Sequence, residues 1–350
     1  MDEPAGSEIP VAVLGGSGYT GAELLRLLAG HPTFRVVSVT GESRAGERLA
    51  DVVCGLAAAW PDLRLTTVGD LDPGAVRVVF CCLPHGASQK VVPMLVDRVE
   101  HIVDLGADFR LPASEYATWY GEPHAAPELL DRFAYALCEL FGSDLARCAH
   151  AAVPGCYPTA TLLALAPLAG AGLLDGTPVV VDACSGISGA GRTPKLGTLF
   201  GEVAENVVAY GLDGHRHTGE MEHGLARLAG RSIPVRFTPH LVPMVRGIHA
   251  IAHLRPARPA GTAELLAAAR EHYRGCPFVQ VAEAPPPTKA TLGANTAMVS
   301  YHADPRTGIV SAIGVIDNLT KGAAGQAIQA ANRLCGLDER TGLPVAGRWP

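Results

Sequence analysis

The chain contains no apolar run of the roughly 18 residues that a membrane-spanning helix needs, so no membrane segment is expected. It has no run of basic residues, and its formal net charge is −6, which argues against a nucleic-acid or membrane-surface partner. No C-x-x-C pair occurs, and the nine cysteines are odd in number. A disulfide framework and a structural zinc ribbon are therefore not expected, and a reducing cytoplasm suits the thiols. The opening, Met1-Asp2-Glu3-Pro4-Ala5-Gly6, is polar and acidic and lacks the basic-then-apolar order of a secretion signal. There is no internal repeat and no low-complexity linker. What the chain does have is length and apolar content. It has 350 residues, 48% of them apolar, enough for a large core and for about two domains.

The first half alternates strands and helices. Ile9 to Leu14 reads as an apolar strand, followed at once by Gly15-Gly16-Ser17-Gly18-Tyr19-Thr20-Gly21 and by a helix whose apolar face carries Leu24, Leu25, Leu27 and Leu28. Phe34 to Thr40, Val76 to Cys82 and Ile102 to Leu105 read as strands, and Ser88 to Val96 as a helix. That order predicts an α/β fold with a Rossmann-type, doubly wound parallel sheet. After about residue 150 the pattern changes. A long apolar helix is expected from Cys156 to about Leu173, then strand character at 179–182 and through 235–254. Helices are expected at Glu220 to Leu228 and Thr262 to Tyr273, and a hairpin around Asp304-Pro305-Arg306-Thr307-Gly308. This predicts an α+β domain with a mixed or antiparallel sheet. The final helix, Ala323 to Leu334, is rich in small residues and could return to the first domain. The expected division is 1–153 with 323–350, and 154–322.

Several motifs carry chemistry. Gly16, Gly18 and Gly21 form G-x-G-x-x-G, and Gly15, Gly18 and Gly21 form an overlapping G-x-x-G-x-x-G. Between a strand and a helix, such glycines allow a tight turn and close approach of a pyrophosphate to the helix N-terminus. About twenty residues on, Ser43 and Arg44 could hold the 2′-phosphate of NADP, while the neighbouring Glu42 keeps NAD open. In Pro154-Gly155-Cys156-Tyr157-Pro158, Cys156 stands where a strand gives way to a helix, with Pro158 fitting the first turn. The positive end of a helix dipole favours the nucleophilic thiolate, although a buried structural cysteine is the plainer alternative. In His215-Arg216-His217-Thr218-Gly219-Glu220, His217 is the candidate proton carrier, with Glu220 placed to orient it or to bind substrate. No third ligand accompanies the two histidines, and no metal is expected. Arg110, in Asp104-Leu105-Gly106-Ala107-Asp108-Phe109-Arg110, follows a buried strand and suits a phosphate or carboxylate. The loop from Ser185 to Arg192, with Ser188 and Gly189, could meet an anion or the nicotinamide side of a cofactor.

Together these blocks resemble the N-acetyl-gamma-glutamyl-phosphate reductase family, within the aspartate-semialdehyde-dehydrogenase-like group. The matching stretches are GGSGYTGAELLRLL (15–28), CLPHGAS (82–88), DLGADFRL (104–111), PGCYPTA (154–160), SGISGAGR (185–192), HRHTGE (215–220) and NLTKGAAGQAIQ (318–329), in one order along nearly the whole chain. The resemblance implies an NADP(H) domain closed by the C-terminal helix, and a catalytic domain that also builds a homodimer or homotetramer interface. It implies a small-molecule acyl phosphate substrate, a Cys nucleophile at Cys156 and a His acid/base at His217. It also brings Asn318 and Gly322 to the cofactor. Two departures stand out, since Gly106 stands where Ser is expected and Gly219 where Pro is expected. A related reductase acting on aspartyl or carrier-linked aminoadipyl phosphate is one alternative. A non-catalytic NADP-binding sensor is another.

Overall fold

The computed structural model describes residues 8–349, and the acidic opening lies outside them. The chain folds as two compact units. Residues 8–114, 122–154 and 323–343 form the first, and residues 115–121, 155–322 and 344–349 form the second.

The chain begins β1 (Ile9–Leu14), α1 (Tyr19–Leu28), β2 (Phe34–Val39), α2 (Leu49–Val52), β3 (Val78–Cys81), α3 (Ser88–Val91) and β4 (His101–Asp104). It continues with α4 (Ala113–Tyr120), β5 (Phe133–Tyr135), α5 (Cys138–Leu145) and β6 (His150–Ala152). The strands pair in parallel in the order β2-β1-β3-β4-β6-β5. β3, β4, β5 and β6 are buried at every residue, as strands covered on both faces must be. Residues 88–96 do not form the one helix expected of them. Pro93 supplies no N–H, so α3 stops at Val91 and a 3₁₀ turn, Val92–Met94, completes the segment.

The second unit holds α6 (Cys156–Gly170), β7 (Val179–Ser185), α7 (Phe200–Val203), β8 (Val208–Ala209), α8 (His217–Ala229), β9 (Val235–Leu241) and β10 (Ile248–Leu254). α9 (Thr262–His272), β11 (Val279–Val281), β12 (Ala297–Ala303) and β13 (Val310–Ile316) follow. Its sheet, β11-β12-β13-β10-β7-β9-β8, is mixed: β7–β9 and β11–β12 are parallel and the other pairs antiparallel. α6 is buried at every position from Tyr157 to Ala169. Gly314 on β13 lets it lie directly on the sheet, because a Cβ there would strike the Ala160 carbonyl. Pro167 sits inside α6 and cannot donate to the Leu163 carbonyl one turn back. The Tyr273 hydroxyl, at the end of α9, donates to that carbonyl instead. α6 ends at Gly170 rather than near Leu173, and α8 begins at His217, three residues before the expected start.

After β13 the chain makes a π-helical turn, Thr320–Ala324, in which the Gly322 N–H reaches back to the Asp317 carbonyl. The last helix, α10 (Gly325–Leu334), therefore starts two residues later than expected. It joins the first unit, where Gln326 donates to the Ala136 carbonyl at 2.6 Å and Gln329 to Glu139 at 2.9 Å. The tail returns to the second unit, with the Asn295 N–H on the Pro344 carbonyl and Thr296 Oγ1 on that of Val345.

Candidate active site

In the first unit the glycine loop joins β1 to α1, and each glycine has a reason to lack a side chain. Gly15 has φ +81°, and a Cβ there would lie 2.5 Å from the Cys82 carbonyl oxygen. A Cβ at Gly16 would strike Val39, and one at Gly21 the Gly15 carbonyl. Gly18 differs, because its Cβ would meet nothing closer than 3.7 Å. It is the N-cap of α1, and no side chain caps that end. The fold itself does not require a glycine at Gly18, but a phosphate approaching an open helix N-terminus does. This loop therefore fits the pyrophosphate of a dinucleotide. Thr40 anchors it, with its Oγ1 accepting the Gly15 N–H at 3.2 Å and its carbonyl the Gly16 N–H at 2.9 Å.

Beyond β2, Glu42 takes φ +40° and turns its carboxylate to the Val68 N–H at 2.9 Å. Ser43 and Arg44 are exposed, and Arg44 pairs with Glu47 at 3.2 Å. Glu42 and Arg44 are thus both exposed and both engaged, one with a backbone amide and the other with Glu47.

At the carboxyl edge of β3 and β4, two aspartates tie the 82–89 and 104–111 segments together. Asp104 Oδ1 accepts from Ser88 Oγ at 2.7 Å and from the Gly106 N–H at 3.0 Å. Asp108 accepts from the Gly86 and Gln89 N–H groups at 2.8 and 3.1 Å and pairs with His85 at 2.9 Å. Burial pushes Asp104 up to about 6, with the charge of Asp108 adding to it. Arg110 is buried, and its Nη2 donates to the Leu105 carbonyl at 2.9 Å. Gly106 leaves little room: a Cβ would lie 3.0 Å from both Asp104 Oδ1 and Ser88 Oγ.

In the second unit Cys156 is the first residue of α6, with Gly155 as its N-cap. Among the described residues no cysteine is in a disulfide, and burial pushes several of the others far from reactivity: Cys81 and Cys82 go up, and Cys335 up to about 12. His217 is the first residue of α8. Its ring lies 4.9 Å from that of His215 and 5.9 Å from that of Tyr157, the residue after the thiol, and its N–H donates to His215 Nδ1 at 3.2 Å. Tyr157 in turn packs on Phe237 and His215, and its hydroxyl lies 3.0 Å from that of Tyr210. Burial, aided by the Arg216 charge, pushes His215 down to about 4, so this imidazole stays neutral. Burial pushes both tyrosine hydroxyls up. The imidazole of His217 thus sits against an uncharged aromatic wall that sequence reading did not find. Tyr210 and Phe237 lie in strand-like stretches that offer no chemical signature.

Glu220, 1% exposed, accepts the Gly155 N–H at 2.7 Å. Gly219 has no space for a side chain, because the Trp119 indole occupies the Cβ position. Gly322 packs on the thiol residue, where a Cβ would lie 2.8 Å from Cys156 Cβ. Asn318 is buried and holds two loops together. Its Oδ1 accepts the Gly247 N–H at 2.8 Å, and its Nδ2 donates to Ser188 Oγ at 2.9 Å. Gly189 lies in the same loop, and a Cβ there would be 2.8 Å from Ser185 Oγ. Among the described residues no group of three or more His, Cys, Asp or Glu side chains could hold a metal ion.

Two family models match these halves. "Semialdehyde dehydrogenase, NAD binding domain" covers residues 10–147, and "Semialdehyde dehydrogenase, dimerisation domain" covers residues 156–318. The fold is similar to solved aspartate semialdehyde dehydrogenases at low identity. One is the Vibrio cholerae enzyme II complexed with ASA, with TM-score 0.72, 18% identity, and 94% of this chain and 99% of that one covered. Another is the Candida albicans enzyme with NADP, with TM-score 0.67, 16% identity and the same coverage of each chain. A curated protein of Pseudomonas aeruginosa PAO1, named N-acetyl-gamma-glutamyl-phosphate reductase, is 45% identical over 345 residues, which is 98% of this chain and all of the relative. The chain belongs to the N-acetyl-gamma-glutamyl-phosphate reductase family. A Pseudomonas fluorescens Pf0-1 member with the same name is 43% identical over the same length. In this member of the family the six-stranded parallel sheet carries the glycine loop, and the unit with the mixed sheet carries Cys156, His217 and Glu220. Among the described residues no helix is long and apolar enough to cross a membrane.

Proposed function

We propose that this chain reduces N-acetyl-gamma-glutamyl phosphate to N-acetyl-glutamate 5-semialdehyde and phosphate with NADPH, as an oxidoreductase of arginine biosynthesis. The full-length identity to named reductases supports the substrate. The observation that carries the mechanism is Cys156 at the first position of a buried helix whose neighbour helix opens on His217.

Cys156 is the nucleophile. Its thiolate, favoured by the helix N-terminus, attacks the acyl carbon; the C–O bond to phosphate breaks, phosphate leaves, and a thioester remains. Backbone N–H groups of the first turn of α6 stabilise the oxyanion that forms on attack. Arg110 offers a cation to the phosphate, and NADPH, when bound, supplies the hydride that reduces the thioester. His217 then moves the proton as the thiohemiacetal collapses to aldehyde and frees the thiol. Residues Gly15, Gly16, Ser17, Gly18, Tyr19, Thr20 and Gly21 would hold the pyrophosphate, with Ser43 and Arg44 on the 2′-phosphate. Ser43 and Arg44, exposed just beyond β2, support NADP over NAD. Ser188, Gly189 and Asn318 would frame the nicotinamide side, and Glu220 acts close to the thiol.

We assign cofactor binding to the first unit and catalysis and subunit contact to the second, in a homodimer or homotetramer of the cytoplasm; 115–121 and 344–349, expected with the cofactor in the division 1–153 with 323–350, go with the catalytic unit. The dimerisation family model supports the subunit contact, and a sequence with nine cysteines and no C-x-x-C pair suits a reducing compartment. The test runs the reaction in reverse, with N-acetylglutamate semialdehyde, NADP and phosphate, following reduced nicotinamide. Wild-type protein gives signal, while Cys156→Ser binds NADPH normally and loses nearly all turnover, by about 10³-fold or more. Near-normal turnover in that variant would refute the mechanism. Signal only with aspartate semialdehyde would shift the substrate, and silence with both would point to a binding protein.

A further inference from the structure

The N-cap of α6 lacks the usual local means of holding its own amide. In a capping box, the side chain at the third helical position accepts the N–H of the cap residue. Here that position is Pro158 and the cap is Gly155, so neither can contribute a side-chain acceptor. The carbonyl side of Gly155 is held within the helix, by the Thr159 N–H and Oγ1, each at 2.9 Å. The amide side is held from another helix, by Glu220 Oε1 at 2.7 Å.

Glu220 lies in the first turn of α8, three residues after His217. α8 is clamped against its surroundings at two positions around its axis. The Trp119 indole covers Gly219, and a Cβ at Gly224 would lie 2.7 Å from Leu162 Cδ1 on α6. Gly322 closes over Cys156 from the π-helical turn.

We propose that Glu220 is a positioning residue for the nucleophile: its carboxylate oxygen replaces the missing local cap, fixes the Gly155 peptide, and so lets one helix set both the thiol turn and the imidazole of His217. This rests on the reading of Cys156 as the nucleophile. It differs from a role in orienting His217 directly or in binding substrate. What the Gly155 amide needs first is an acceptor at full side-chain reach, with the negative charge strengthening the bond.

The experiment crosses reach against charge in the full-length protein. Glu220→Gln keeps the reach and removes the charge, while Glu220→Asp keeps the charge and draws the acceptor back by one methylene. Turnover is measured in the reverse assay, and alkylation of Cys156 by iodoacetamide is followed from pH 5 to 9 without substrate. Thermal melts followed by circular dichroism report folding of the whole chain. Glu220→Gln is expected to lose no more than about tenfold in kcat, with the alkylation profile moved to lower pH because a negative charge near the thiolate is removed. Glu220→Asp is expected to lose about 100-fold in kcat with KM within twofold, and to shift the alkylation profile. The reverse ranking would overturn the proposal, as would a rise in KM at constant kcat in either variant. If wild-type protein proves silent with the semialdehyde, the functional reading fails, and the alkylation arm still decides whether Glu220 sets the thiol.

Discussion

Gly322 shows how one missing side chain can matter to the site. Family resemblance placed it near the cofactor, yet its nearest neighbour is Cys156, with 2.8 Å between the two Cβ positions if a methyl were added. Gly322→Ala must therefore displace either the π-helical turn or the thiol. A kcat lower by about 10- to 100-fold, with NADPH affinity within twofold, is the expected result. Steady-state kinetics beside a fluorescence titration measures both, and loss of affinity with kcat retained would assign the residue to the cofactor instead. The sequence placed Cys156 at a helix start, where the structure has it, whereas His217, expected three residues before its helix, in fact opens it. The partner of Glu220 was not legible, since a carboxylate 65 positions from the amide it accepts leaves no local pattern.

At the scale of elements, α6 illustrates a repair made from outside the helix. Pro167 removes an N–H, and Tyr273 at the end of α9 satisfies the Leu163 carbonyl left behind. Tyr273→Phe should cost about 1–3 kcal/mol, the penalty of a buried carbonyl without a donor. In a Pro167→Ala background, where the helix regains its own donor, the same change should cost clearly less. Urea denaturation of the four proteins in the cycle measures this, and equal costs in both backgrounds would show that the hydroxyl serves another purpose. The apolar run in α6 was readable as a helix from sequence. The break at 88–96 was readable only through Pro93, whose weight was underestimated beside the apolar pattern. β5, β8 and β11 have three residues or fewer and pair only through tertiary contact, so no periodicity could announce them.

For the whole molecule, the balance of buried titratable groups sets the response to acid. Burial lowers His31, His124, His249 and His272, and pushes His150 and His215 down to about 4. For each, the unfolded chain binds a proton that the folded chain refuses. Their contribution is intact above the ordinary value of 6.5 and is lost as pH falls toward 4. Asp104 works in the opposite sense. Its folded value of about 6 exceeds the ordinary 3.8, so its burial becomes less costly as pH falls through 6. One carboxyl is worth at most about 3 kcal/mol, against six histidines. Thermal melts at pH 7.5, 6 and 5 should therefore show Tm dropping by several degrees at the lowest pH, and a steady rise would contradict this balance. None of it was visible in the sequence, where a histidine's burial cannot be counted. The division into a parallel and a mixed sheet was visible, because strand–helix alternation and hairpin chemistry are local signals.

Trp119 and Gly219 occupy a single volume, the indole standing where any side chain at 219 would go. Position 219 cannot drift while the indole remains. A lineage that acquires a ring or a methyl at 219 must first, or at the same moment, surrender the tryptophan, so the two sites should be inherited as a pair.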